Sequence, residues 1–139
     1  MADDVVLNKC AIIERCIQRL DQEYRGHETE LVSNLLRQDS IILNLQRACE
    51  ASIDLAMHLV RIYHLGLPQE SREAFRFLEE KGMIDADTSA RMQAMVGFRN
   101  IAVHNYQKLN IDVVRSILDR HLADFRRFTG VALKQSLAP

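Results

Sequence analysis

Apolar residues return every three or four positions along most of this chain, a rhythm that belongs to helices and not to strands. Val6, Ile13, Ile17, Leu20 and Tyr24 mark a first helix. Asp3 and Asp4 are placed to cap it or to complement its amino-terminal dipole, and Gly26 ends it. The strongest pattern opens at Asp39 or Ser40, where Ile41, Leu45, Ala48, Ser52, Leu55, Leu59 and Ile62 follow steps of four and three. Ile42, Cys49, Ile53, Ala56, Val60 and Tyr63 run beside them as a second row. A helix with two apolar rows packs on more than one side, so residues 40 to 64 are expected to form the central helix of a bundle. Its remaining side carries Asn44, Arg47, Glu50, Asp54, His58 and Arg61. That row reads as a solvent face laced with ion pairs or, in part, as one wall of a cleft against residues 99 to 106.

After the break at Gly66 and Pro68, residues 71 to 80 read as a short helix, with Gly82 placed as its left-handed cap. A fourth helix is expected from about Asp87-Thr88-Ser89, carrying Met92, Met95, Val96 and Phe98. The last follows Asn110, with Ile111, Val114, Ile117, Leu118, Leu122, Phe125 and Phe128 forming a stripe to about Gly130. There is almost no strand signal, no internal repeat and no glycine-rich phosphate loop. The expectation is an all-α, up-and-down helical bundle of about five helices, forming one domain over residues 1 to 139.

Composition narrows the class. The 139 residues suffice for one core, and 47% apolar with 27% charged residues is ordinary globular composition. The start Met1-Ala2-Asp3-Asp4 lacks a basic region followed by an apolar one, and no apolar run approaches the length of a membrane span, so a cytoplasmic protein without membrane contact is expected. Cys10, Cys16 and Cys49 are odd in number, sit at apolar helical positions and lack metal-ligand spacing, which makes them reduced core residues and a zinc site improbable. A net charge of −1 argues against holding nucleic acid by bulk electrostatics. Arg115, Arg120, Arg126 and Arg127 alternate with Asp112, Asp119 and Asp124, the pattern of a mixed-charge solvated face.

Chemistry concentrates in Arg99-Asn100-Ile101-Ala102-Val103-His104-Asn105-Tyr106, an Arg-x-x-x-x-His-x-Tyr element near a helix end. A permanently charged fork, an imidazole that titrates near neutrality and a phenol suit cleavage or transfer of a phosphate ester. At about 100° per residue, Arg99 and Tyr106 share a face of a straight helix, whereas Arg99 and His104 diverge by about 140°. Either the helix loosens after about Val103, or a second copy completes the site across a two-fold axis. The plain alternative pairs Arg99 with a carboxylate, caps the helix end with His104 and packs Tyr106 at its edge.

The element resembles the signature of the HEPN superfamily, and of its HepT-type branch of toxins partnered by MNT-type nucleotidyltransferase antitoxins. The segment from Gln38 to Ala51, the turn Leu67-Pro68-Gln69-Glu70-Ser71 and the start Asn110-Ile111-Asp112 are similar to the same branch. The resemblance implies the toxin component of a toxin-antitoxin system, a homodimeric endoribonuclease that needs neither metal nor cofactor. Arg99 and His104 would be catalytic, with Arg99 stabilising the scissile phosphate and His104 acting as general acid or base for attack by the RNA 2'-hydroxyl, leaving a cyclic phosphate. Asn100 would support the site by orienting the phosphate or the imidazole. Tyr106 would be the residue to which the antitoxin attaches AMP. Gly97, a poor helix former just before Phe98-Arg99, leaves open how the helix presents Arg99. A non-catalytic adaptor binding a nucleotide or a nucleotidyltransferase, or a purely structural helical dimer, are the competing classes. No base-specific module is legible, so the RNA target is not.

Overall fold

The computed structural model describes residues 3–137. Asp3 opens the first helix, α1 (Asp4–Tyr24), its carboxylate accepting from the amides of Val5 and Val6. Gly26 closes it at φ 81°, a left-handed position that glycine takes without a Cβ penalty. A one-turn helix, α2 (Glu30–Ser33), leads into α3 (Leu35–Ile62). The central helix therefore begins earlier than Asp39 or Ser40. Asn34 is the cap, its Oδ1 accepting from the Arg37 amide at 3.1 Å. The first turn was hidden from periodicity because Leu35 and Leu36 are exposed and lie off the buried rows.

Next come α4 (Ser71–Glu80) and α5 (Ala86–His104), the latter capped by Asp85, whose Oδ1 accepts from the Thr88 amide at 2.7 Å. Gly82 is left-handed at φ 78°, as expected of the cap after α4. Asn110 caps α6 (Ile111–Ser116), which passes through a π turn over Ile117–His121 into α7 (Leu122–Leu137). The last helical run thus extends past Gly130, where a helix-breaking residue is tolerated without ending the hydrogen-bond ladder.

The result is an all-helical bundle around α3, against which α1, α4, α5 and α7 pack. Both apolar rows of α3 are buried up to Val60, with Ile41, Leu45, Leu55 and Leu59 at 1% exposure or less, whereas their last members, Ile62 and Tyr63, are exposed where the helix ends. Phe75 and Phe128 meet edge to face at 5.2 Å between ring centroids, joining α4 to α7. The three cysteines are buried and unbridged. Burial pushes the Cys10 thiol up to about 11 and Cys49 well above the usual thiol range.

The polar row of α3 is not one solvent face. Asn44 and His58 are buried, at 5% and 7% exposure. His58 is occupied on both ring nitrogens: Nε2 lies 2.7 Å from Asp3 Oδ2, and Nδ1 accepts from Arg61 Nη2 at 2.9 Å. An arginine can only donate, so Nδ1 is the acceptor and the proton on Nε2 faces Asp3. The Asp3 amide donates to Ser136 Oγ at 2.8 Å, so the two ends of the described chain close on one another beside α3. The late arginines follow the mixed-charge reading, with Arg126 forked onto Glu14 at 3.0 and 2.8 Å and Arg127 3.3 Å from Asp87. Asp124 departs from it, being buried against His121 at 3.1 Å and Arg91 at 3.8 Å. Among the described residues no helix is long and apolar enough to cross a membrane.

Candidate active site

The final turns of α5 carry the motif past α3 and α4. Phe98 and Ala102 point into the core at 6% and 4% exposure and fix the rotation of the helix. That rotation lays Arg99 towards α3, where its Nε donates to Glu50 Oε2 at 3.3 Å. Its Nη1 donates to Asn100 Oδ1 at 3.2 Å. The guanidinium is thus held at two of its nitrogens while retaining N–H groups for another acceptor. It opens into a hollow of about 270 Å³ lined by Glu50, Ile53, Asp54, Ser71 and Arg99. The Glu50 to Asp54 part of the α3 polar row does line a cleft against the motif.

His104 is the last residue of α5 and is exposed. Its imidazole has no hydrogen-bond partner among the described residues, which leaves both ring nitrogens open to an incoming group. The helix does give way after about Val103, but too late to turn His104 towards Arg99. It holds through His104 and breaks at Asn105, whose φ of −152° and ψ of 51° are not helical. Arg99 and His104 therefore belong to one regular helix and diverge by about 140°. Between them Ile101 and Val103 are exposed at 46% and 41%, an apolar edge running through the motif itself.

Tyr106 starts a single 3-10 turn, Tyr106–Lys108, beyond the break. It therefore lies outside the helix that bears Arg99, although both side chains turn to α3. Its Oη donates to Asp39 Oδ1 at 2.7 Å. Partial burial, then that hydrogen bond and the carboxylate charge, push the phenol up to about 12. The ring is 45% exposed and its oxygen is protonated at neutral pH. The sequence places Asp39 as a helix opener, which conceals it as a partner. With Asn34 capping instead, Asp39 lies one turn inside α3 and is free to receive the tyrosine. Asp39 and Glu50, eleven positions apart, fall within about 20° on α3, so one stripe of that helix anchors both Tyr106 and Arg99.

Chemically, the surface offers a positioned guanidinium, an open imidazole and an accessible phenol. No cluster of metal-ligating side chains occurs among the described residues. A family model described as "Ribonuclease HepT-like" matches residues 13–132. A Shewanella oneidensis protein named mRNA nuclease HepT is 46% identical over 129 residues, which span 93% of this chain and 96% of that protein. The structure of the tri-AMPylated Shewanella oneidensis HEPN toxin in complex with MNT antitoxin is similar at a TM-score of 0.88 and 46% identity, over 93% of this chain and 96% of that one. A toxin-antitoxin structure with AMP-PNP gives 0.88 at 45% identity, over 94% and 98%. The Bacillus subtilis cytosolic protein YutE, at 12% identity and a TM-score of 0.81 over 96% of this chain and 92% of its own, shares the fold alone.

Proposed function

This chain belongs to the HepT-like ribonuclease family, and on that premise we propose that it is the toxin of a toxin-antitoxin pair, an endoribonuclease silenced when a nucleotidyltransferase antitoxin adds AMP to Tyr106. The observation that carries the reading is near full-length similarity, at 46% identity, to a HEPN toxin named as an mRNA nuclease and seen AMPylated beside its MNT antitoxin. The geometry supports the following roles for the residues.

Arg99, braced by Glu50 and Asn100, directs its remaining N–H groups at the non-bridging oxygens of a scissile RNA phosphate, where negative charge builds in the transition state. His104 exchanges the proton: as base it takes hydrogen from the ribose 2'-hydroxyl, whose oxygen bonds to phosphorus as the bond to the 5' oxygen breaks. A group acting as acid returns a proton to that leaving oxygen. The products are a cyclic phosphate and a 5'-hydroxyl, and no metal is required. Because one straight helix cannot aim Arg99 and His104 at the same phosphate, the working unit is a homodimer in which motifs from two copies face one cleft. The exposed Ile101 and Val103 support this assembly, since they give the motif edge an apolar strip to bury against its copy.

Tyr106 projects from a turn with no buried residue, within reach of another enzyme's active site. Attached AMP brings negative charge and bulk beside His104, and RNA, of the same sign, is excluded.

The test is RNA cleavage by the purified protein. His104→Ala at equal folded concentration lowers the rate by about two to four orders of magnitude, and Arg99→Lys restores little of what Arg99→Ala loses because an ammonium cannot present a planar fork. Undiminished cleavage by either alanine variant, or abolition by a metal chelator, refutes the mechanism.

A further inference from the structure

Gly97 interrupts the middle of α5, where glycine costs about 1 kcal/mol of helix propensity relative to alanine. The reason for glycine lies across the groove on α4. A Cβ on residue 97 would stand 2.7 Å from Nη2 of Arg72, so the missing side chain makes room for that guanidinium against the α5 backbone. Arg72 is exposed, forms no ion pair with any described carboxylate, and makes only a long 3.4 Å bond from Nε to the Gln93 carbonyl. An arginine laid into a notch made for it and left without a counter-ion is poised for an anion.

Its surroundings indicate which anion. Arg72 lines a hollow of about 240 Å³ with Ser71, Asn100, Val96 and Glu70. Ser71 also lines the neighbouring hollow that contains Arg99, so the two hollows adjoin. The contact at Gly97 falls two residues before Arg99 and three before Asn100, within one turn of α5, about 5.4 Å along its axis. The adjacent carboxylates are engaged elsewhere: Glu50 holds Arg99, Asp54 meets Lys9 at 3.2 Å, and Glu70 faces Arg76 at 3.8 Å.

We propose that Arg72, with Asn100 and Ser71, forms a second phosphate site, which binds an RNA backbone phosphate next to the one cleaved at Arg99. The proposal rests on the ribonuclease reading for its ligand. It gives Arg72 a role in holding the strand and Gly97 the role of keeping the Arg72 fork at the level of the motif. A polyanion crossing α5 then meets two guanidinium groups in succession, an electrostatic track that is independent of base identity.

The experiment separates this site from the catalytic one. Steady-state cleavage is measured for a short RNA oligonucleotide and for a dinucleoside monophosphate, which carries only the scissile phosphate. Binding of a non-cleavable 2'-O-methyl RNA oligonucleotide is measured in parallel across a salt series. Arg72→Gln is expected to raise KM for the oligonucleotide about tenfold more than for the dinucleotide, with the loss falling on KM and not on kcat. It is also expected to reduce the slope of log binding constant against log salt by about 0.7, the value for one phosphate contact on a single strand. Gly97→Ala, which displaces the guanidinium without removing it, shifts KM in the same direction, and the helical spectrum verifies folding of both variants. Equal losses on the two substrates, or an unchanged salt slope, overturn the second site while leaving the ribonuclease intact. A salt slope reduced by Arg72→Gln, together with a wild-type protein that cleaves no RNA, would retain the phosphate site and reject the nuclease.

Discussion

Glu50 holds Arg99 through one nitrogen on a pair whose side chains are 29% and 37% exposed, and that exposure decides what the contact is for. A pair so open to water contributes below about 1 kcal/mol to stability. On the proposed function its value lies in aiming the fork. Glu50→Gln is therefore expected to leave the thermal midpoint nearly unchanged while reducing cleavage several-fold, less than Arg99→Ala does; a large loss of stability with full activity would reverse the assignment. Tyr106 gives a second prediction. A tyrosine whose folded value is raised contributes stability that is present below the ordinary value of 10.0 and lost as pH rises through about 12. Absorbance titration of the wild type, with Tyr106→Phe subtracted, should show ionisation near 12. Asp39→Asn should move it part of the way back, because burial, the larger cause, remains.

At the level of elements, much was legible because α3 repeats its apolar rows over many turns and each row is buried as far as Val60. The caps of α1 and α6 and the glycine after α4 were legible too, since Asp3, Asn110 and Gly82 act locally. What depended on tertiary context was not. The Leu35–Leu36 turn presents apolar residues to solvent, so periodicity started the helix late. Burial of His58 and Asp124 follows from partners far away in sequence or on a neighbouring helix, Asp3 and Arg91. The motif residues stand out by their chemistry, whereas Asp39, which holds Tyr106, and Arg72, seated against Gly97, sit among unremarkable neighbours and are disclosed only by packing. The helix through Gly130 offers a clean test: a Cβ there meets nothing within 4 Å, so Gly130→Ala should stabilise by about 0.5–1 kcal/mol and raise the melting midpoint. Phe128→Ala, which empties the fully buried contact with Phe75, should cost about 3–5 kcal/mol.

For the whole molecule, the proposed pairing of copies along α5 predicts that Ile101→Asp with Val103→Asp yields a folded monomer by sedimentation and abolishes cleavage; a dimer that persists would move the interface elsewhere. The closure of the chain ends through Asp3 and His58 has a pH signature. The hydrogen bond from His58 holds the Asp3 carboxyl below its ordinary value of 3.8, so its contribution is present above that value and lost as pH falls through the lower folded one. Asp3→Asn should flatten the acid limb of the stability curve in that window. The 3-10 turn that bears Tyr106 carries a consequence for how such a toxin is kept. None of its residues is buried, so a group attached there enters no part of the core and displaces only the bond to Asp39. Modified and unmodified chains should then differ in melting temperature by no more than the loss of that one bond. On the proposed reading, the silenced protein is a durable folded stock, and removal of a single substituent returns it to service without a refolding step.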